Sequence, residues 1–264
     1  MYDFAYQKPA SVADAAKALA ADAEAKPLAG GMTLIPVLKQ RLNHPSLLVD
    51  LAKAGLAGIT AGAGSVRIGA MTTHATVAAS ADVKRIIPAL AALAGGIGDE
   101  AVRHRGTIGG SLANNDPAAD YPAAALALGA TIHTNKRAIP ADDFFQGMFT
   151  TALGTDEIIT AVEFPAPQRA NYQKFRNPAS RYAMVGVFVA KGPKGVRVAV
   201  TGAGQNGVHR HGGFEAALAK SWSAAALVGV ATPADGLNSD IHGSAEYRAH
   251  LVGVIAKRAV AKAG

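Results

Sequence analysis

"GTIGGSLANNDPAADYP", residues 106–122, is the stretch on which the interpretation of this chain depends. It places three glycines, two prolines, two asparagines and two aspartates between two apolar segments. Glycine has no Cβ, so Gly109 and Gly110, after the short β-prone pair Thr107-Ile108, predict a turn that lets backbone N–H groups approach a bound anion. Thr107 and Ser111 can add hydroxyl donors to the same anion.

The end of this stretch predicts a helix from about Tyr121 to Leu128, because the segment YPAAALAL is continuously apolar. Asp120 stands directly before it and is expected to act as its N-cap. A carboxylate also accepts hydrogen bonds from hydroxyl groups, so Asp120 can serve a nucleotide or a ribityl chain as well.

A second pair of glycines lies in "LAGGMT", residues 28–33. The segment KPLAGG predicts a short strand, and MTLIPVLKQRL predicts a helix that begins near Thr33. Free amides at such a turn, together with the helix dipole, suit a phosphate, although most Gly-Gly turns serve tight packing alone. Two such turns suit a ligand whose two phosphates are held from two sides, and a dinucleotide pyrophosphate is the obvious candidate. Neither turn carries the lysine of a Walker A sequence.

A third glycine pattern, "GAGQNG" at residues 202–207, fits G-x-G-x-x-G after the predicted strand VRVAVT. A dinucleotide fold of that type needs an Asp or Glu about 20 residues further on, and the segment SWSAAALVGV offers none. The pattern therefore favours a simple strand-to-loop turn over a nicotinamide site.

Composition limits the class of protein. The 264 residues are 50% hydrophobic and 17% charged, which is typical of a globular chain. No apolar run reaches the ~18 residues of a membrane span, and the N-terminus lacks the pattern of a secretory signal, so we expect a cytoplasmic protein. Cysteine is absent, so any metal redox chemistry must come from a partner. The net charge of +7 is spread along the chain, which disfavours nucleic-acid binding and favours an anionic cofactor or acidic partners.

The order of elements predicts an α+β fold, because strands are joined both by hairpins and by helices. The proline-rich and polar segment PAPQRANYQ, residues 165–173, predicts a domain boundary. Beyond it, RYAMVGVFVAKGPKGVRVAVTGAG predicts strand, turn and strand, and AEYRAHLVGVIAKRA predicts a long helix.

Three segments together resemble the FAD-binding medium subunit of the molybdenum hydroxylases. They are LAGGMTLIPVLKQRL, VRHRGTIGGSLANNDPAADYPAAALALGA and DEIITAVEFP. The resemblance covers nearly the whole chain and is closest to aerobic carbon monoxide dehydrogenase in that family, which also includes xanthine dehydrogenase. It implies a two-part PCMH-type FAD-binding domain at residues 1–168, with subdomains at about 1–54 and 55–168. A small α+β C-terminal domain at 169–264, with a three-stranded antiparallel sheet and helices, would follow.

The resemblance also implies the cofactor site. Residues 28–35 and 107–111 would surround the pyrophosphate of FAD, and Asp120 would bind on the ribityl side. Ile97 would lie near the flavin, Ile159 would lie against the flavin or adenine region, and Lys174 would place a charge near the cofactor. The implied cofactor-binding residues are Leu28, Ala29, Gly30, Gly31, Met32, Thr33, Leu34, Ile35, Ile97, Thr107, Ile108, Gly109, Gly110, Ser111, Asp120, Ile159 and Lys174. No residue is implied as a catalytic acid, base or nucleophile, and none as a metal ligand.

Several residues allow more than one interpretation. Met32 stands where many relatives have His or Gln, and Ser111 where Asn is common. His74 is expected at the start of a helix beside a threonine cap rather than in catalysis. Tyr182 fits either a stacking face for the flavin or a half-buried strand tyrosine.

By this resemblance the chain is an electron-transfer subunit that carries FAD. Its partners would be a small iron–sulfur subunit with 2Fe-2S clusters and a large molybdopterin subunit, in a dimer of heterotrimers. The electron acceptor would be a quinone, NAD or oxygen, and any association with a membrane would come through the complex. The alternative is a stand-alone FAD-dependent oxidase or reductase with the same FAD domain, which would need its own substrate pocket. A non-enzymatic interaction protein is suggested by the positive charge alone.

Overall fold

Three β-sheets follow one another along the chain in the computed structural model, which describes residues 1–263. The first sheet is parallel, with strand order β1-β3-β2. Its elements are β1 (Ala5–Gln7), α1 (Val12–Ala20), β2 (Lys26–Leu28), α2 (Leu34–Lys39) and β3 (Leu47–Asp50), followed by a 3-10 turn at Leu51–Lys53. All four residues of β3 are buried, as expected for a central strand of a parallel sheet.

The second sheet has the order β4-β5-β8-β6-β7 and is antiparallel throughout. Its strands are β4 (Ile59–Gly62), β5 (Ser65–Gly69), β6 (Thr131–Thr134), β7 (Ala138–Pro140) and β8 (Ile159–Pro165). The helices are α3 (His74–Ala79), α4 (Ala81–Ile86), α5 (Pro88–Gly95), α6 (Glu100–Arg105), α7 (Ile108–Asn114), α8 (Tyr121–Leu128) and α9 (Ala141–Phe144). Helix α8 has the predicted bounds, and its eight residues are all buried, which explains why it is apolar on every side.

The third sheet is antiparallel, with the order β12-β11-β10-β9. It consists of β9 (Arg169–Arg176), β10 (Ala183–Gly192), β11 (Gly195–Thr201) and β12 (His209–Arg210), with α10 (Gly212–Lys220), a 3-10 turn at Ala224–Leu227, and α11 (Ala245–Lys262). The α+β class with a small antiparallel sheet in the C-terminal part is confirmed. The sheet has a fourth strand beyond the three expected, but that strand is only two residues long.

The predicted break at residues 165–173 is shorter than expected. Strand β8 ends at Pro165 and β9 already begins at Arg169, so the break covers only residues 166–168. The sequence RANYQKFR is polar for a strand partly because β9 lies at the edge of its sheet, where polar side chains are tolerated, and partly because Tyr172 and Lys174 bind the carboxylate of Asp120.

The core continues across this break. Strand β10 is buried on both faces: Val187 and Val189 pack with α10 and α11. Phe188 and Ala190 face the other way and join the core that includes the residues of α8. One face of the third sheet is therefore part of the core of the preceding helices.

No helix within residues 1–263 combines the length and the apolar character that crossing a membrane requires.

Candidate functional site

A pocket of about 640 Å³ lies where the first sheet meets the helices of the second. Its wall is built from the turn after β2, the start of α3, the turn between α6 and α7, the segment before α8, the loop before β8 and the loop before β10. This volume lies within the range of about 300–1,000 Å³ that is usual for small-molecule and cofactor sites.

The turn after β2 presents an uninterrupted row of backbone donors. Among residues 1–263, the amide N–H groups of residues 29–34 donate to no protein acceptor, and Thr33 makes no side-chain cap at the start of α2. Gly31 has φ +75°, a conformation that favours glycine, and turns the chain at this point. A row of unpartnered amides in a pocket wall is a donor set that suits an anion such as a pyrophosphate.

The two glycine segments lie against each other. A Cβ on Gly30 would stand 1.9 Å from the carbonyl oxygen of Arg105, so only glycine fits there. A Cβ on Gly110 would come within 3.4 Å of the Cβ of Ala29. The absence of side chains therefore brings the two turns together at the pocket wall.

The second turn differs from the prediction, because its glycines lie in the first turn of a helix. Thr107 is the N-cap of α7, and its Oγ1 accepts from the amide of Gly110. The amide of Gly109 donates to the carbonyl oxygen of Ala70 at 2.8 Å, and that of Ile108 donates to Thr72 at 3.1 Å. The prediction that these paired glycines free their amides for an anion is wrong. What this turn can still offer a ligand is the hydroxyl groups of Thr107 and Ser111 and the bare surface of Gly110.

The close neighbours of Gly109 show why it has no side chain. A Cβ there would stand 2.6 Å from the Cβ of Ala70 and 2.8 Å from its carbonyl oxygen. Gly109 therefore serves tight packing, because it lets α7 lie against the end of β5.

Asp120 lines the pocket and stands at the N-cap position of α8 as predicted, but its side chain makes no cap hydrogen bond with that helix. Its carboxylate instead accepts the hydroxyl of Tyr172 on Oδ1, and Oδ2 pairs with the Nζ of Lys174 at 2.9 Å. The side chains of both members of the ion pair are about 95% buried. Burial raises the pKa of Asp120, and the neighbouring Lys174 ammonium and Tyr172 hydroxyl oppose that rise.

The residues that the sequence predicted to bind the cofactor fall into two groups. The first group forms the pocket wall: Ala29, Gly30, Gly31, Met32, Thr33, Leu34, Ile97, Thr107, Gly109, Gly110, Ser111, Asp120 and Ile159. The second group lies behind it: Leu28 and Ile35 pack beneath Gly31, Ile108 is fully buried, and Lys174 reaches the wall through Asp120.

His74 belongs to the pocket wall, although its sequence position suggested a structural role only. It does follow the threonine cap at the start of α3, as expected. Its ring is 5% exposed, and its Nδ1 has no partner within residues 1–263. Burial, helped by the charge of Arg103, lowers the pKa of His74 to about 4, so the imidazole is neutral at pH 7.

Tyr182 also lies at the pocket, in the loop before β10 rather than within a strand. It is 47% exposed and therefore about half-buried, but its position outside the strand contradicts the interpretation as a strand tyrosine. An aromatic ring at the pocket wall is available to stack on a planar ligand.

Glu157 was not anticipated as a wall residue, and no sequence signal marks it. Its carboxylate accepts from Arg137 (Nε to Oε1, 2.9 Å), from the Thr134 hydroxyl and from the amide of Gly154. These hydrogen bonds, that of Arg137 above all, lower the pKa of Glu157 to about 2. The ionised side chain fixes the loop that carries Ile158 and Ile159 to the pocket.

Comparison with known proteins gives a consistent result. Residues 2–167 match the family described as the FAD binding domain in molybdopterin dehydrogenase. The chain is 37% identical to the nicotine 6-hydroxylase medium subunit of Paenarthrobacter nicotinovorans, over 98% of this chain and 96% of that protein. It is 32% identical to the carbon monoxide dehydrogenase medium chain of Hydrogenophaga pseudoflava, over 97% and 96%. Among solved structures, reconstituted CO dehydrogenase from Oligotropha carboxidovorans superposes with a TM-score of 0.91 at 34% identity, over 99% of this chain and 98% of that one.

Proposed function

The chain belongs to the FAD-binding medium subunits of the molybdenum hydroxylases, and we propose that it holds FAD in the pocket described above and transfers electrons through it. Membership of the family makes it an FAD-binding subunit of an oxidoreductase. The route of the electrons and the position of each part of the cofactor are the proposal.

The row of free amides at residues 29–34 is the observation that carries the proposal. These amides would donate to the pyrophosphate oxygens, since no acceptor in the described part of the chain, residues 1–263, competes for them. Thr107 and Ser111 would add hydroxyl donors from the facing turn.

Other residues of the pocket wall fit the ribityl chain and the ring systems of FAD. Asp120 would accept a hydrogen bond from a ribityl hydroxyl, because an ionised carboxylate is a strong acceptor. Ile97 and Ile159 supply apolar surface, and Tyr182 supplies an aromatic face, for the ring systems. FAD supplies one-electron and two-electron redox chemistry when bound, and the protein binds and orients it.

The proposed partners are a small iron–sulfur subunit with 2Fe-2S clusters and a large molybdopterin subunit, in a dimer of heterotrimers. Substrate would be oxidised in the large subunit, and electrons would leave this chain to a quinone, NAD or oxygen. Relatives named for nicotine and for carbon monoxide both align with almost the full length of this chain, which supports a substrate choice made outside it.

The test is to purify the full chain and measure bound FAD by its absorbance, then to assay electron transfer with and without the partner subunits. We expect about one FAD per chain, and turnover only in the assembled complex. Turnover of substrate by the isolated chain would instead support the stand-alone oxidase or reductase.

Two glycine-to-aspartate variants, one at the pocket wall and one outside it, test where the pyrophosphate binds. Gly110→Asp places a carboxylate at the pocket wall beside the proposed pyrophosphate and should abolish FAD binding. Gly212→Asp makes the same change at the start of α10, where a new Cβ meets no atom of residues 1–263 within 4 Å, and should leave FAD content unchanged. Full FAD occupancy in Gly110→Asp would refute the placement of the pyrophosphate.

A further inference from the structure

The carboxylate of Asp120 is held from across the domain boundary by two residues of β9. Tyr172 and Lys174 are two positions apart on that strand and therefore point to the same face of the sheet. The Tyr172 hydroxyl donates to Oδ1 of Asp120, and the Lys174 ammonium lies 2.9 Å from Oδ2. Each oxygen of the carboxylate thus has its own donor.

The orientation of Tyr172 is itself fixed by its neighbours. Its ring stacks against Phe188, the residue paired with it on β10, at 6.0 Å between ring centres. Gly186, two residues earlier on β10, leaves room for its hydroxyl, since a Cβ there would stand 2.3 Å from the Tyr172 oxygen. A glycine in the middle of a strand weakens it, so a close approach of this kind explains its presence.

Charge balance makes this arrangement suitable beside an anionic ligand. An ionised Asp120 alone would repel a nearby pyrophosphate, whereas the buried pair with Lys174 is neutral as a whole. Asp120 lines the pocket, and each oxygen of an ionised carboxylate can accept more than one hydrogen bond.

We infer that Tyr172 is a positioning residue for the cofactor: with Lys174 it fixes the Asp120 carboxylate so that this group accepts a hydrogen bond from a hydroxyl on the ribityl side of the ligand. The inference rests on the proposed function, because it takes FAD as the occupant of the pocket. It gives the C-terminal domain a direct part in binding a cofactor that the N-terminal domain surrounds.

The first experiment compares ligand fragments on the full chain. Tyr172→Phe removes one hydroxyl and should weaken both FAD and riboflavin by about tenfold, the usual order for a lost hydrogen bond to a charged group. ADP, measured as a competitor of FAD, should bind as before. Tyr6→Phe is the matched control, because the Tyr6 hydroxyl also donates to a carboxylate, that of Asp50, outside the pocket wall.

The second experiment asks whether Tyr172 acts through Asp120. In an Asp120→Asn background, Tyr172→Phe should cause no further loss of FAD affinity, because the group that it positions has been replaced. Thermal unfolding of each variant separates loss of fold from loss of binding. Equal weakening of ADP and riboflavin, or an undiminished effect in the Asp120→Asn background, would overturn the inference. Absence of FAD binding by the unaltered chain would refute the proposed function itself.

Discussion

Gly109 and Gly110 are adjacent in sequence yet meet different surroundings. Both line the pocket, but Gly109 is buried and closest to Ala70, whereas Gly110 is partly exposed and closest to Thr107 and Ala29. A sequence pattern treats the two as one pair, but the direction of each missing Cβ is set by the helix in which they lie.

Alanine substitutions should separate the two roles. We expect Gly109→Ala to lower the free energy of unfolding by about 1–3 kcal/mol, the usual cost of overpacking, because its Cβ would collide with backbone atoms. Gly110→Ala should cost less stability, since its nearest neighbour is the Thr107 hydroxyl, and should mainly weaken FAD binding. Denaturant titration and FAD titration of both variants measure these effects. The reverse ranking of stabilities would show that Gly109 is not needed for close contact between α7 and β5.

The burial of His74 should make the free energy of unfolding depend on pH. Its pKa is about 4 in the folded chain and 6.5 in the unfolded one, so between these values the unfolded state binds more protons. Stability therefore falls as the pH is lowered from about 6.5 to 4, by up to about 3 kcal/mol from this residue. His74→Gln does not titrate and should flatten this part of the profile in denaturant titrations.

At the scale of elements, the β6–β7 hairpin supports the pocket wall through Arg137. The guanidinium pairs with Glu157 and also donates to the carbonyl of Ala152, so it holds both sides of the loop before β8. The hairpin itself does not line the pocket.

Arg137→Met should release this loop and weaken FAD binding, because the buried Glu157 loses its main partner. The neighbouring Lys136→Met removes an exposed pair with Asp156 and should change binding and melting temperature very little. FAD dissociation constants and thermal unfolding of the two variants provide the comparison. If both variants bind FAD as the unaltered chain does, the loop is fixed by other contacts.

Helix α7 shows why one element was predicted wrongly. IGGSLAN contains two glycines, which are poor helix formers, so the local sequence favours a turn. The Thr107 cap and the bonds from Ile108 and Gly109 to residues 72 and 70 stabilise the helix from outside its own sequence. By contrast, α8 was predicted with correct bounds because it needs only a continuous apolar segment.

At the scale of the whole molecule, the pocket proposed to hold FAD and the shared core both cross the predicted boundary at residue 168. Arg197 of β11 donates to the carbonyl of Leu126 in α8, and Thr201 donates to the carbonyls of Pro117 and Ala119. The third sheet thus fixes the segment that leads to Asp120.

A fragment of residues 1–168 should therefore lose FAD affinity and cooperative unfolding. It would expose the apolar side of α8 that packs on Phe188, and it would leave Asp120 buried less and without Tyr172 and Lys174. The full chain should unfold in a single transition, followed by circular dichroism and by release of FAD. A fragment that binds FAD as tightly as the full chain would show that the first 168 residues form an independent unit.

The sequence by itself indicated the α+β class, helix α8 with its bounds, the long helix α11 and the turn after β2, and three of its segments indicated the family by resemblance. These features depend on periodicity and on local turn chemistry, which neighbouring residues specify. Only the tertiary structure decided which turn has free amides, because the partners of Gly109 and Ile108 lie some 36–39 residues earlier in the chain. It likewise decided the role of Asp120, whose partners are 52 and 54 residues away, and the neutral state of His74, which follows from burial. Hydrogen-bond partners and burial at such separations result from packing of the whole chain, and no local pattern encodes them.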